Sequence, residues 1–159
     1  MNLILTSLIF ISCTLFYSCN SSEKSSNIKD ISFEVIREVN YGGYEESKVW
    51  VIQNNEDYQT VMNKVYENLD QRPVVPDVDF TKSTLIAVFM GAKKSDGYSI
   101  QVENINSDNK TMTVNVKETS SGKNCKVGSV MTHPFQIIKI NKFNELIKFN
   151  TVKETKDCN

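Results

Sequence analysis

The sequence predicts an α+β fold in which a mainly antiparallel β-sheet or sandwich of about seven strands carries one amphipathic helix. Three observations lead to this prediction. Apolar residues recur at helical spacing over about 55–69, an unbroken apolar run covers 84–90, and two alternating stretches face each other over 98–105 and 111–117. A chain of 159 residues is long enough for one domain with a short tail, and we expect that domain over 30–159.

The first two strands are predicted from alternation and composition. Ile31, Phe33 and Val35 alternate with polar residues and indicate a strand over about 31–39. A second strand, β-branched and aromatic, is expected over 49–52, after a glycine-rich turn.

The helix over about 55–69 has a recognisable start. Asn55 fits an N-cap, and the acidic Glu56 and Asp57 lie where the helix dipole favours negative charge. The apolar stripe consists of Tyr58, Val61, Met62, Val65, Tyr66 and Leu69. Such a stripe is typical of a helix packed on a sheet, and a partner-binding helix is the alternative.

The run over 84–90 is apolar at every position from Leu85 onward, as expected of a central strand covered on both faces. The hairpin of 98–105 and 111–117 follows it.

Further strands are expected over 135–140 and about 144–152. If the strands from 84–90 to 135–140 form a meander, the loops 91–97 and 118–134 leave the same edge of the sheet. Loops on a rigid sheet often form a recognition surface, so this edge is a candidate partner-binding site. Its candidate residues are Ser95, Asp96, Gly97, Tyr98, Thr132, His133, Pro134 and Phe135. The alternative for Tyr98 and Phe135 is that their side chains belong to the core.

The N-terminus indicates export. Residues 1–18 contain no charged side chain, and the apolar run 3–17 has the length of a signal-peptide core. A small residue, Cys19 and a Ser-rich stretch then resemble a bacterial lipoprotein cleavage site. We expect residues 1–18 to be a lipoprotein signal peptide, Cys19 to be lipidated, and 19–29 to be a flexible tether. A plain signal peptide or an uncleaved anchor is the alternative. The expected location is the cell envelope, with the lipid anchored in the outer membrane or at the cell surface.

Cys125 and Cys158 are the cysteines that follow this segment. In an oxidising compartment they are expected to form a disulfide that pins the C-terminal tail to a loop. Two free thiols are the alternative.

The composition argues against several chemistries. A net charge of −1 and only two arginines, Arg37 and Arg72, disfavour binding of nucleic acid. The single histidine, His133, precedes a proline and does not suggest a catalytic triad. No metal-ligand spacing or phosphate-binding loop is present. The sequence therefore predicts no metal, no cofactor and no enzymatic activity.

Four segments, in this order and spacing, resemble the family of the protease-complex subunit PrcB. The segments are Val78-Asp79-Phe80, 85–91, 97–100 and Thr132-His133-Pro134-Phe135. The resemblance covers about residues 50–142, with its core at 78–140. In this chain Ser95-Asp96-Gly97 stands where the family usually has Thr-Gly-Gly before the tyrosine.

The resemblance implies an accessory lipoprotein of a surface or secreted serine-protease complex, with no catalytic residues attached to the fold. We therefore expect a non-enzymatic envelope lipoprotein, held at the membrane by its N-terminal lipid, that binds a partner protein such as a protease. The alternative is an exported module that binds a small molecule, peptide or glycan through the loops 91–97 and 118–134. An enzyme and a purely structural envelope protein are the less favoured interpretations.

Overall fold

The computed structural model describes residues 28–108, 110–144 and 146–158. The predicted signal peptide, Cys19 and most of the tether lie outside these ranges. The elements in chain order are β1 (Lys29–Asp30), β2 (Glu34–Val39), β3 (Lys48–Ile52), α1 (Asn55–Val65), β4 (Ser83–Phe89), β5 (Tyr98–Ser107), β6 (Thr111–Ser121), β7 (Phe135–Asn141) and β8 (Leu146–Lys156). Within the described ranges, no helix is both long and apolar enough to cross a membrane.

The strands form two four-stranded sheets. Sheet A has the order β1-β5-β6-β8, and sheet B has the order β2-β7-β4-β3. Neighbouring strands are antiparallel except for β6 and β8, which run parallel. The predicted α+β fold with a mainly antiparallel sandwich is confirmed.

The inner face of sheet A packs on one face of sheet B, and α1 covers the other face of sheet B. Strand β4 belongs to both cores, which explains its unbroken apolar sequence. Its residues toward sheet A are Ile86 and Val88, with Met90 just beyond the strand, and those toward α1 are Leu85, Ala87 and Phe89.

Helix α1 differs from the prediction at both ends. Asn54 is the N-cap instead of Asn55, because the Asn54 side chain accepts the Asp57 N–H at 2.9 Å. The helix ends at Val65, and Leu69 lies just beyond the following turn, where 37% of it is exposed. The apolar periodicity therefore predicts a helix that is about one turn longer than the observed one.

The meander expected from β4 to β7 is wrong. Strand β4 pairs with β3 and β7 in sheet B, whereas β5 pairs with β1 and β6 in sheet A. An unbroken apolar strand needs a cover on both faces, and β5 contributes to a cover over the face of β4 instead of extending its edge. Strand β6 also continues to Ser121 beside β8, so the predicted loop 118–134 is shortened to 122–134.

The chain enters the domain far from the candidate loops. Lys29 pairs with Ser107 at the C-terminal end of β5, whereas the loop 90–97 leads into the other end of β5 at Tyr98.

Candidate functional site

Three loops meet at one end of the sandwich, which we call the loop end. They are 40–47, 90–97 and 122–134. Lys93 and Thr132 exchange backbone hydrogen bonds at 2.8 and 2.9 Å, and the Ala92 N–H donates to the Glu45 carbonyl at 2.9 Å. The two predicted loops are therefore neighbours although the meander that predicted this is absent.

Asp96 holds the two predicted loops together. Its Oδ1 atom accepts the Gly128 N–H at 2.7 Å, and the Asp96 N–H donates to the Gly128 carbonyl at 3.3 Å. A side chain at Gly128 would place a Cβ atom 2.8 Å from the Asp96 carboxylate, so glycine permits this close contact. The predicted site residue Asp96 thus positions the longer loop.

Gly97 lies at the closest approach of the loops. A Cβ atom there would lie 2.7 Å from Ser121 Oγ and 2.7 Å from Val127 Cγ1. The Gly97 carbonyl accepts the Ser121 N–H at 2.7 Å. The close packing between the loops therefore favours glycine before Tyr98.

Ser95 and Thr132 also join the loops. Thr132 is buried, and its hydroxyl donates to the Ser95 carbonyl at 2.7 Å. Both residues stabilise the arrangement, and the Thr132 side chain offers no surface to a partner.

His133 contacts the third loop. Its Nε2 atom lies 3.0 Å from Glu45 Oε1, and its backbone N–H donates to the Asn40 carbonyl at 2.8 Å. About 20% of the side chain is exposed. The contact with Glu45 joins residues 88 positions apart, which no local sequence pattern indicates.

Pro134 and Phe135 lead from the loop into sheet B. The Pro134 carbonyl accepts the Met90 N–H at 2.9 Å. Phe135 has no exposed surface and stacks on Phe89 with ring centroids 5.5 Å apart. Phe135 is therefore a core residue, which is the alternative that the sequence analysis left open. Its ring cannot contact a partner directly.

Tyr98 is half-buried at the start of β5, where it packs against the core between the sheets. Lys93 Nζ lies 5.8 Å from its ring centroid. Tyr98 also lines an open hollow of about 310 Å³. The other lining residues are Met90, Lys93, Glu118, Ser120, Lys153, Glu154 and Thr155.

Three exposed apolar residues in the longer loop were not predicted. Val127, Val130 and Met131 are 44%, 50% and 57% exposed. They lie in a stretch without periodicity, so the sequence offers no signal beyond three apolar residues within a polar loop. Their exposure on a loop that is hydrogen-bonded to its neighbour is the strongest indication of a binding surface at the loop end.

The predicted disulfide between Cys125 and Cys158 is confirmed, with a sequence separation of 33. Around it, the Gly122 N–H donates to the Lys156 carbonyl at 2.9 Å, and the Cys158 N–H donates to Asn124 Oδ1 at 3.2 Å. The beginning of the loop 122–134 is thus joined to the end of β8.

The described residues contain no group of three or more His, Cys, Asp or Glu side chains placed to hold a metal ion. The fold and the loop end together define a β-sandwich with a candidate binding surface built on loops.

The comparison with protein families agrees with the resemblance seen in the sequence. Residues 84–141 match the model of the PrcB C-terminal domain. The matched span runs from β4 to β7 and includes the loops 90–97 and 122–134, so this part of the chain is similar to a PrcB C-terminal domain. No curated protein and no solved structure matches the chain.

Proposed function

We propose that this chain is a non-enzymatic accessory subunit that binds a partner protein, a surface or secreted protease, through the loop end. The PrcB-type domain suggests association with a protease complex. The observation that carries the proposal is the exposed apolar group of Val127, Val130 and Met131 on a loop fixed by Asp96 and by the disulfide of Cys125. Preorganised apolar anchors bind without a large ordering cost, and this supports a docking role.

The non-enzymatic part of the proposal concerns His133, the one histidine of the chain. Its Nε2 atom lies 3.0 Å from Glu45 Oε1, so the ring joins two loops through a carboxylate. A nucleophile in contact with the imidazole is what covalent hydrolysis needs.

The proposal includes export and lipidation at Cys19. The support is the apolar stretch, the small residue before the cysteine and the polar stretch after it. Anchored in this way, the domain would hold its partner at the cell envelope. Mass spectrometry of the mature N-terminus tests this part, and an unmodified Cys19 would contradict it.

The binding proposal is tested by affinity capture of the tagged full chain from its native envelope. The test variant is Val130→Ser with Met131→Ser, because both side chains are exposed and their loss should not unfold the domain. The matched control is Val74→Ser, at a residue that is 93% exposed and lies in the linker after α1. We expect a protease captured by the wild type and the control and lost with the double variant. Equal capture by the double variant would contradict binding through these residues.

The hollow beside Tyr98 favours a second candidate, a module for a small ligand. Its lining combines an aromatic ring with Glu118 and Lys153 and with the hydroxyls of Ser120 and Thr155. Convergent polar groups beside apolar surface are typical of ligand sites. A thermal-shift screen of amino acids, short peptides and sugars tests it. A ligand whose shift is lost in Tyr98→Ala and kept in Val130→Ser would support this candidate, whereas no shift would contradict it.

A further inference from the structure

Strand β8 is a long edge of sheet A. It spans eleven residues and pairs with β6 at every one of them without a register shift. No described strand pairs with its other edge. Residues 151–156 are exposed at every position, including the alternate positions that lie on the inner face of sheet A. An unpaired, regular edge of this length is a template for a further strand.

Of the usual protections of an edge, β8 has charged side chains, those of Lys148, Lys153 and Lys156, but lacks two others. Strand β8 contains no proline and no bulge. The C-terminal tail turns toward β6, because the Lys156 carbonyl accepts the Gly122 N–H and Cys158 is bonded to Cys125. The tail therefore leaves the outer edge of β8 uncovered.

We propose that this edge binds a second copy of the chain, with the two β8 strands antiparallel about a twofold axis at Thr151. An axis perpendicular to the sheet keeps every side chain on its own face and makes the contact self-complementary. The register centred on Thr151 is the one that pairs all eleven residues, from Leu146 to Lys156. The proposal goes beyond the proposed function and does not depend on it.

The charges of β8 favour this register. It places Lys148 opposite Glu154 of the partner subunit, and the symmetry repeats the pair. Thr151 meets its own copy, and no two like charges lie opposite each other along the strand. Opposite charges and Thr–Thr pairs directly across antiparallel strands are stabilising.

Neighbouring registers of the same symmetry are less favourable. Centring the axis on Val152 would place Lys148 opposite Lys156 of the partner subunit. Centring it on Asn150 would leave Glu154 opposite Leu146 of the partner subunit and leave two residues unpaired.

The resulting assembly is one continuous sheet made from both copies of sheet A. Because β8 is parallel to β6, and β6 ends at the loop end, antiparallel pairing directs the two loop ends in opposite directions. Both surfaces with Val127, Val130 and Met131 would therefore stay accessible to partners.

Cysteine cross-linking of the full chain in membranes and in detergent tests the register. In Thr151→Cys the two introduced thiols would lie on directly opposed residues, whose Cα atoms are about 5 Å apart in an antiparallel pair, within disulfide range. The matched control is Leu146→Cys, which is exposed on the same strand but would lie about 34 Å from its copy, ten steps along the pair. We expect a dimer on a non-reducing gel for the first variant and a monomer for the second.

A charge exchange tests the same contact without cysteine. Lys148→Glu places a carboxylate opposite Glu154 of the partner subunit, and the symmetry repeats this repulsive pair. The dissociation constant of the dimer, measured by light scattering, should rise about tenfold. The double variant Lys148→Glu/Glu154→Lys restores opposite charges and should restore the dimer. Equal cross-linking of both cysteine variants, or a monomer at all concentrations, would overturn the proposal. A chain that stays monomeric and whose β8 edge is covered only by a different protein would also overturn it and would assign the edge to that protein.

Discussion

The side chain of Gln136 in sheet B binds the backbone of Val102 in sheet A. Gln136 Oε1 accepts the Val102 N–H at 2.8 Å, at the point where the register of β5 and β6 shifts after Val102. Gln136 Nε2 donates to Glu38 Oε2 at 2.7 Å. One buried amide thus joins the two sheets and provides an acceptor for a backbone donor beside the bulge.

Gln136→Leu should therefore destabilise the fold. It keeps the volume of the side chain but leaves the Val102 N–H without an acceptor in a buried place, at a cost of about 1–3 kcal/mol in the free energy of unfolding. Urea denaturation followed by circular dichroism measures this. Gln101→Leu, at an exposed position of β5, is the control and should change stability little. Equal effects of both variants would contradict the role of Gln136.

Phe135→Ala should cost about 3–5 kcal/mol in the free energy of unfolding, because it removes a fully buried ring that stacks on Phe89. Chemical denaturation measures the loss. Tyr41→Ala, at a ring that is 67% exposed in a neighbouring loop, should have a small effect. A Phe135→Ala protein of normal stability would show that the ring is not a core residue.

Loss of the disulfide should lower both stability and partner binding. The bond has a sequence separation of 33, for which loop-closure entropy predicts about 3–4 kcal/mol. Cys125→Ser, Cys158→Ser and the double variant should have the same effect, because each removes the same bond. The unfolding free energies of the three variants check this, and an additive double variant would show that the thiols act separately.

Asp108 should make stability depend on pH in acid. The Thr111 and Lys110 backbone N–H groups donate to its carboxylate and lower its pKa from the ordinary value of 3.8. Since the pKa is lowered in the folded state, the stabilisation is present above 3.8 and is lost as the pH falls through the folded value. Asp108→Asn should flatten the acid limb of a stability–pH curve measured by urea denaturation at several pH values. An unchanged acid limb in Asp108→Asn would contradict this assignment.

Most elements of the fold could be predicted because they have a local signal, whereas β1 (Lys29–Asp30) begins in the predicted tether and the strand predicted over 31–39 begins only at Glu34. Tyr98, Ile100 and Val102 alternate along β5, and the stripe of α1 recurs every three to four residues. The pairing of β4 could not be predicted, because an apolar strand such as 84–90 accepts any neighbour that covers it. Long-range partners depend on which faces become buried together, and that information is not local.

The candidate site shows the same limit. The loops 91–97 and 118–134 were correctly placed together, but through a meander that does not exist. Phe135 is indistinguishable in sequence from an exposed anchor, since any strand can begin at an aromatic residue. The contact of His133 with Glu45 and the exposure of Val130 depend on the folded loops.

The pairing of Lys29 with Ser107 determines how a tethered domain would be oriented. Strand β5 separates this point from Tyr98 by nine residue steps, about 30 Å. Strand β1, where the described part of the domain begins, and the loop end therefore lie at opposite ends of sheet A. In the proposed anchored protein, the domain would act as a spacer between the bilayer and the loop end. The distance of the loop end from the bilayer would then depend on the length of β5 and on the polar segment that precedes β1.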